Sequence, residues 1–243
     1  MKFSESWLRS FVNPSLSGEA LSHLLTMAGL EVEEEETVAP AFNDVIVAQV
    51  LEVVKHPDAD RLNVCKVDIG TGTPQQIVCG APNVAAGLKV PCALPGAKLP
   101  GDFTIKIAKV RGIESSGMLC SAKELGIAED ASGLLILPAD APVGQSIRQY
   151  LDLDDRLLTL KLTPNRADCL SLTGIAREVA ALTGTPATYV KVADVPVTGS
   201  ATREIVLDAP AACPRYCGRI VSSVNAKAPT PEWMKRRIER SGV

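Results

Sequence analysis

The block at residues 111–125, RGIESSGMLCSAKEL, combines residue types that can hold an anion. Gly117 permits a tight turn that exposes backbone amides, and Lys123 follows it closely. Such a turn can form an anion-binding nest. Alternatively, its serines can cap the short helix that the run from Ser121 to Leu125 predicts. The chemistry of this block alone leaves both interpretations open.

Cationic side chains gather around this block. Lys106, Lys109 and Arg111 lie on or just after one predicted strand, with Lys98 and Lys123 nearby. As a group they could neutralise the phosphates of a nucleic acid, and each contact would make binding more sensitive to salt. The alternative is an ordinary solvated strand face.

Two other segments carry nucleophiles, but we predict no catalytic residue and no metal site. Residues 163–169, TPNRADC, place Arg166, Asp168 and Cys169 together, yet neither histidine of the chain is near them in sequence. A thiol needs such a base for activation, so we predict ion-pair, capping and interface roles for Arg166 and Asp168. Cys120 also lacks an activating base and is predicted to belong to the core.

Composition narrows the class of protein. The chain has 243 residues and a net charge of -3, which excludes a strongly basic, general nucleic-acid binder. Residues 42–150 contain ten basic and eleven acidic residues, so any RNA contact there must use a local patch. Seven cysteines, most in apolar runs, indicate reduced thiols and a cytoplasmic protein, and no stretch is long and apolar enough to cross a membrane.

The periodicity of apolar residues changes three times along the chain. Residues 4–28 predict two helices broken at Asn13-Pro14, followed by an edge strand at 30–36. Short strands are then predicted at 45–54, 62–69, 75–79, 89–94, 103–110 and 134–137. A strand at 156–162 and a helix ending at Gly184 come next. The last predicted elements are strands at 203–208 and 215–224 and a helix from Thr230-Pro231 towards Gly242.

The middle of the chain resembles the tRNA-binding domain that several aminoacyl-tRNA synthetases carry. The resemblance rests on motifs in order over about 100 residues. They are His56-Pro57, Ala59-Asp60, Leu62, Val67-Asp68, Gly70, Ile77 to Ala81, Asn83-Val84, Gly96-Ala97, Arg111-Gly112, Ser116 to Met118, Cys120-Ser121 and Glu124-Leu125. The resemblance implies a small closed barrel of the oligonucleotide/oligosaccharide-binding (OB) type, which five or six short strands also fit.

The flanks resemble the N-terminal region of the beta subunit of bacterial phenylalanyl-tRNA synthetase. The matching stretches are MKFSESWLRSFV, LTMAGLEVE, LTPNRADCLSLTGIAREVAALTG, RYCGRIV and PTPEWMKRRIERSGV. We therefore expect an α+β, multi-domain chain in which an all-β OB barrel is inserted into a small split α/β scaffold. The expected boundaries are 1–38 plus 152–190 for the scaffold, 39–151 for the barrel, 191–202 for a linker and 203–243 for the start of a truncated α+β domain of editing type.

The resemblance also implies partners and chemistry for the parent enzyme. It implies tRNA(Phe) and an alpha subunit in a tetramer of two alpha and two beta chains, with ATP and Mg²⁺ used by the complete enzyme, no cofactor bound by this region and no DNA partner. From the residues themselves, the candidate tRNA-binding residues of this chain are Arg61, Asn83, Lys98, Lys106, Lys109, Arg111, Ser116, Ser121 and Lys123. The alternative function is a structural module whose barrel contacts other proteins and binds RNA negligibly.

Overall fold

Helices flank the strands near the N-terminus, whereas short strands dominate the middle of the chain. The structure is a computed structural model that describes residues 1–243. In chain order its elements are β1 (Lys2–Ser4), α1 (Glu5–Arg9), α2 (Gly18–Met27), β2 (Glu31–Thr37), β3 (Val45–Lys55), β4 (Asn63–Asp68), β5 (Gln75–Cys79), β6 (Lys89–Ala93), β7 (Lys98–Leu99), β8 (Phe103–Thr104), β9 (Ala108–Val110), β10 (Ile113–Ser115), β11 (Met118–Leu119), α3 (Ile147–Tyr150), β12 (Arg156–Lys161), a 3₁₀ helix (Pro164–Cys169), α4 (Leu172–Thr183) and α5 (Glu232–Glu239). No helix is both long and apolar enough to cross a membrane.

Three strands from distant parts of the sequence form one antiparallel sheet, here called the split sheet. Its order is β1-β12-β2, so the late strand β12 lies between the two early strands. Leu158 and Leu160 alternate along β12 and are fully buried. They pack with the buried faces of α1, α2 and α4 in an apolar cluster drawn from residues 3–30 and 158–179. The predicted strands at 30–36 and 156–162 are confirmed.

The helices beside the split sheet begin and end where their sequences indicate. The Ser17 hydroxyl accepts from the Ala20 amide at the start of α2, and the Ser171 hydroxyl accepts from the Gly174 amide at the start of α4. Gly184 adopts a left-handed φ of 68° and ends α4. The predicted helix ending at Gly184 is confirmed, as are the two early helices separated around Asn13-Pro14.

The middle of the chain folds into a five-stranded antiparallel sheet of nearly closed, barrel-like form, with the order β11-β6-β3-β4-β5. The long strand β3 pairs with β6 through Val45–Gln49 and with β4 through Gln49–Lys55. Its register shifts between Val50 and Glu52, and such a bulge bends a strand and increases its twist. The bent strand β3 can therefore pair with both β6 and β4 in a curved sheet. The fold class is thus mixed α/β with a barrel-like sheet.

Side-chain hydrogen bonds join the free edge of β5 to the segment that carries the Ser-Gly-Met motif. The Ser115 hydroxyl accepts from the Val78 amide at 3.0 Å and donates to the Gly117 carbonyl at 3.1 Å. The Gln76 carbonyl accepts from the Ser116 amide at 2.9 Å. Gly117 has a φ of 132°, and a Cβ there would lie 2.7 Å from the Ala93 carbonyl oxygen. The motif is therefore required for closure of the sheet.

Several predicted elements are not formed as the sequence suggested. Residues 103–110 do not make one strand, because β8 and β9 are separate pieces that belong to two different hairpins. Residues 134–137 contribute only an isolated bridge between Leu137 and Lys89. The short helix predicted from Ser121 to Leu125 is a turn.

The strands predicted at 203–208 and 215–224 are absent, and this is the largest error of the sequence-based prediction. Residues 188–235 are exposed throughout, and only α5 is regular there. A strand needs a neighbouring strand to satisfy its backbone groups, and no strand of this chain lies beside these segments. The predicted helix after Pro231 is confirmed as α5.

Arg240, which follows α5, attaches this last segment to the rest of the molecule. Its guanidinium donates to the carboxylates of Asp152 at 2.8 Å and Asp155 at 2.9 Å. Asp155 is buried and also accepts from the Ser4 hydroxyl at 2.6 Å and the Ser6 amide at 2.9 Å. One carboxylate thus joins the start of α1, the strand β12 and the end of the chain.

Candidate nucleic-acid interface

A buried histidine holds two loops of the barrel-like sheet together. The Asp58 amide donates to Nδ1 of His56 at 3.1 Å, so Nε2 carries the proton and donates to the Val110 carbonyl at 3.1 Å. The turn at residues 56–62 therefore lies against the β9–β10 hairpin. Arg61 at the end of this turn is exposed, and Lys109 and Arg111 flank Val110. Three predicted RNA contacts are brought into one neighbourhood in this way.

Lys98 and Lys106 lie at the base of a second hairpin in the same long loop. The Gly96 amide donates to the Ile105 carbonyl, and the Ile105 amide donates to the Ala97 carbonyl, each at 2.8 Å. Lys98 pairs with Thr104 in this hairpin, Lys106 follows Ile105 directly, and both lysines are exposed. Residues 94–117 thus carry four of the predicted cations.

The five cations of these two loops are free of ion pairs, and we call them the loop cations. They are Arg61, Lys98, Lys106, Lys109 and Arg111, all exposed. By contrast, Lys66 on β4 is paired with Glu52, and Arg148 on α3 is paired with Asp154. The loop cations have no such partner, so their charge is available to an external anion.

The sequence analysis missed Phe103 as a member of this surface. Phe103 is 56% exposed and lies on β8, opposite Leu99 and between Lys98 and Lys106 in sequence. An exposed ring beside cations is a typical stacking platform for an unpaired base. The sequence does carry a signal, because Phe103 is an aromatic residue in a turn-rich segment flanked by lysines.

Three polar residues that were predicted to contact tRNA form hydrogen bonds within the protein, through either a side chain or a backbone amide. The Asn83 side chain donates to the Leu134 carbonyl at 3.0 Å and accepts from the Leu134 amide at 2.8 Å. The Ser121 hydroxyl donates to Glu124 Oε2 at 2.7 Å, while the Ser116 amide is bonded to Gln76. Asn83 and Ser121 therefore build the loops around the interface.

Lys123 lies apart from the loop cations, on the rim of an open cleft of about 460 Å³. The cleft runs between the end of β5 and the turn after β11, and it includes Met118 of the Ser-Gly-Met motif. Gly80 forms part of its wall, and a Cβ at Gly80 would lie 3.2 Å from the Leu62 side chain. The residue next to Leu62 is Arg61, so the cleft adjoins the loop cations.

The thiols of the barrel-like sheet are not suited to nucleophilic chemistry. Burial raises the pKa of Cys65 to about 11 and that of Cys92 to about 12, and it raises the pKa of Cys120 further. A thiol must ionise to attack, and these groups stay protonated at neutral pH. Cys120 is a buried core residue, as the sequence predicted.

Arg166 and Asp168 form an ion-pair cluster beside α4. Arg166 donates to Asp168 at 3.2 Å and to Glu178 at 2.9 Å, and its Nη2 lies 3.0 Å from the Cys169 sulfur. The hydrogen bond from Arg166 lowers the pKa of Asp168. Ligand atoms of Asp168, Cys169 and Glu178 lie within 4.8 Å of one another, and the Arg166 guanidinium is paired with both carboxylates of this group. The arrangement suits a structural role.

Comparison with known proteins defines the class of the barrel-like region first. Residues 45–146 match the family described as a putative tRNA binding domain. The matched range contains all five loop cations, Phe103, Lys123 and the Ser-Gly-Met motif. This part of the chain is therefore a domain of the tRNA-binding class.

The whole chain is similar to phenylalanine–tRNA ligase beta subunits. It is 76% identical over 243 residues to that of Dechloromonas aromatica and 64% identical over 243 residues to that of Chromobacterium violaceum. Each alignment covers 100% of this chain and 31% of the relative, so the chain spans about a third of the length of these relatives. Along that third, the chain belongs to the phenylalanine–tRNA ligase beta subunit family.

Among solved structures, the chain is similar to a MetRS related protein from Pyrococcus horikoshii. The similarity covers 42% of this chain and 85% of that one, at 26% identity and a TM-score of 0.32.

Proposed function

We propose that residues 45–146 bind tRNA through the loop cations and Phe103. The observation that carries the proposal is the set of five exposed cations without ion pairs, on two loops that the His56–Val110 hydrogen bond joins. Unpaired cations neutralise phosphates, and an exposed ring between two of them can stack on a base. A local patch of this kind allows RNA binding although residues 42–150 are slightly acidic overall.

The strand pattern supports assignment of this sheet as an OB barrel. In our proposal the turn at 56–62 corresponds to the loop after the first OB strand, and residues 94–117 correspond to the loop between the last two. Those two loops and the face of the second and third strands bind oligonucleotides in OB folds. The barrel, at residues 39–151, would be inserted in a split scaffold of 1–38 plus 152–190, followed by a linker at 191–202 and the start of an editing-type domain at 203–243.

We further propose that the chain is the N-terminal region of a phenylalanine–tRNA ligase beta subunit. Its roles would be tRNA binding and scaffolding within an enzyme that ligates phenylalanine to tRNA(Phe) with ATP and Mg²⁺ in the cytoplasm. An alpha subunit would complete a tetramer of two alpha and two beta chains, and no residue of this region would be catalytic. Formation of phenylalanyl-adenylate by this chain alone would contradict that division of roles.

Titration of the chain with tRNA(Phe) at several salt concentrations tests the RNA-binding proposal. Each phosphate contact contributes roughly one unit to the slope of log affinity against log salt. Lys106→Ala and Arg111→Ala should therefore each weaken binding and reduce that slope by about one. Lys161→Ala is the matched control, because Lys161 is an exposed, unpaired lysine on the split sheet.

A structural module that binds no RNA is the alternative function. The acidic balance and an aromatic content of 4% favour it, because a charged groove lined with rings is the usual way to bind single strands. Absence of salt-dependent tRNA binding in the same titration would support this alternative. Binding that is unchanged by both loop substitutions would show that RNA uses another surface.

A further inference from the structure

The cleft beside the Ser-Gly-Met motif has the size and lining of a site for one nucleotide. Its volume of about 460 Å³ falls in the range of roughly 300–1,000 Å³ that is common for small-ligand sites. Val78, Pro82 and Met118 give it apolar walls, against which the faces of a base can pack. The cleft is too narrow for a double helix, so an RNA occupant must present an unstacked base.

A fixed carboxylate lines this cleft. Glu124 Oε2 accepts from both the amide and the hydroxyl of Ser121, at 2.6 Å and 2.7 Å, while the Glu124 amide donates back to that hydroxyl at 3.2 Å. This reciprocal arrangement is a capping box, built here on a turn instead of a helix. It orients the carboxylate and leaves Oε1 without a hydrogen bond inside the protein. An acceptor held in this way is preorganised for an external donor.

One cation lies on the rim of this cleft, and the backbone of a loop cation lies beside its wall. Lys123 is exposed, has no ion pair and contributes to the rim. Gly80 forms part of the cleft wall, and a Cβ there would lie 4.0 Å from the Arg61 carbonyl oxygen, so the backbone of Arg61 lies close to that wall. A backbone that crosses the loop cations can therefore continue past the cleft with its phosphates near positive charge.

We propose that this cleft binds one unstacked RNA nucleotide whose base carries an exocyclic amino group. Glu124 Oε1 accepts a hydrogen bond from that amino group, Met118 and Val78 contact the base, and Lys123 lies beside a phosphate. The proposal rests on RNA binding by residues 45–146 and adds a preference for one type of base. Glu124 is then a specificity-determining residue, which the sequence analysis did not select.

The chemistry of the carboxylate distinguishes cytosine from uracil. A carboxylate accepts well from the N4 amino group of cytosine. Uracil has a carbonyl at the same position, and its oxygen would face the negative charge of Glu124. Two otherwise identical RNAs can therefore report on this one contact.

NMR of the chain with ¹³C-labelled methionine methyl groups provides the test. The chain has four methionines, of which Met118 lines the cleft while Met27 is 72% exposed on α2 and serves as an internal control. The probes are two five-nucleotide RNAs with a central cytidine or uridine and abasic sugars at the other positions. We expect saturable shifts of the Met118 methyl only, with the cytidine probe binding about tenfold more tightly, equivalent to about 1.4 kcal/mol.

Glu124→Gln is the decisive variant, because a glutamine can keep an acceptor towards Ser121 while presenting an amide donor to the base. It should abolish or invert the preference for cytidine. Lys123→Ala should weaken both probes by a similar factor, whereas Lys161→Ala should change neither. Unchanged methyl signals of the other three methionines verify that each variant is folded.

The outcomes separate this proposal from the proposed function. Equal binding of both probes by the unsubstituted chain, or no shift of Met118, would overturn the nucleotide site even if tRNA still bound with a steep salt dependence. A preference for cytidine that persists in Glu124→Gln would also overturn it. Failure of tRNA to bind at any salt concentration would refute the proposed function itself.

Discussion

The region around the split sheet and the region around the barrel-like sheet differ in how their cations are paired. Four of the six cations in residues 1–38 and 152–190 form ion pairs: Lys2, Arg9, Arg156 and Arg166. In residues 39–151 only Lys66 and Arg148 of the ten do so. Paired charges hold elements in place, whereas unpaired charges on loops remain available to a polyanion. The difference supports our proposal that RNA binds to the barrel-like region, and it supports structural roles for the charges around the split sheet.

Asp155→Ala should have the largest effect, since it removes the carboxylate on which three chain segments converge. Breaking a buried ion pair by removal of one partner costs about 3–5 kcal/mol. Arg240 keeps its pair with Asp152, so we expect the lower end of that range, with the lost acceptor for the Ser4 hydroxyl and the Ser6 amide contributing to it. The neighbouring Asp154 forms an exposed pair with Arg148, so Asp154→Ala should cost under about 1 kcal/mol. Urea unfolding of both variants measures the difference. Similar losses would refute the distinction between buried and surface charges on this segment.

Gly117→Ala tests closure of the barrel-like sheet. Gly87 also has a positive φ but has open space around its Cβ position, so Gly87→Ala measures backbone strain alone, at about 1–2 kcal/mol. Gly117→Ala should cost about 1–3 kcal/mol more, because the new methyl group presses on the Ala93 carbonyl. Thermal or urea unfolding would measure this difference in stability between the two variants. If the two variants were equally stable, the close approach at Gly117 would be unimportant.

Low pH should weaken the split sheet through Glu35. The hydrogen bond from Ser22 lowers the pKa of Glu35 below 4.5, and Arg156 adds to the effect. The folded form therefore binds the proton less readily than the unfolded chain. This stabilisation is fully present above pH 4.5 and is lost as the pH falls through the lowered pKa. The unfolding free energy should fall less between pH 6 and pH 3 in the Glu35→Gln variant than in the unsubstituted chain. Glu33→Gln, at a residue without an ion pair, should keep the original profile.

Replacement of loop cations should have the smallest effect on stability. Lys98→Ala, Lys106→Ala and Lys109→Ala each remove an exposed side chain without a partner, so the unfolding free energy should change by less than about 0.5 kcal/mol. The same samples should lose affinity for tRNA. A marked loss of stability without a change in RNA binding would reverse the roles assigned to the two sheets.

Elements with local signals could be predicted from the sequence. Ser171 and Gly184 mark the two ends of α4, and the apolar alternation of β12 marks a buried strand. The strands predicted at 203–208 and 215–224 have short apolar runs but no neighbouring strand, and no local pattern reveals whether a neighbour exists. Interactions over long sequence distances also escaped prediction, such as the attachment of Arg240 to Asp155 across 85 residues.

The charged residues of the candidate site could be predicted from the sequence, but the hydrogen bonds that position its loops could not. Lys106, Lys109 and Arg111 could be selected from the spacing of basic residues around a recognisable motif. The hydrogen bonds that Asn83 and Ser121 make within the protein depend on contacts that only the fold brings about. Glu124 did carry a signal, because a serine followed three residues later by a glutamate is the spacing of a capping box.

The central position of β12 in the split sheet has a consequence for synthesis of the protein. Ser4 and its partner Asp155 are separated by 151 residues, and at about 5–20 residues per second the ribosome needs roughly 8–30 s to add them. All strands of the barrel-like sheet are made within that interval. β1 and β2 must wait for β12 before either has a neighbour, so the contiguous sheet can form on the nascent chain well before the discontinuous one.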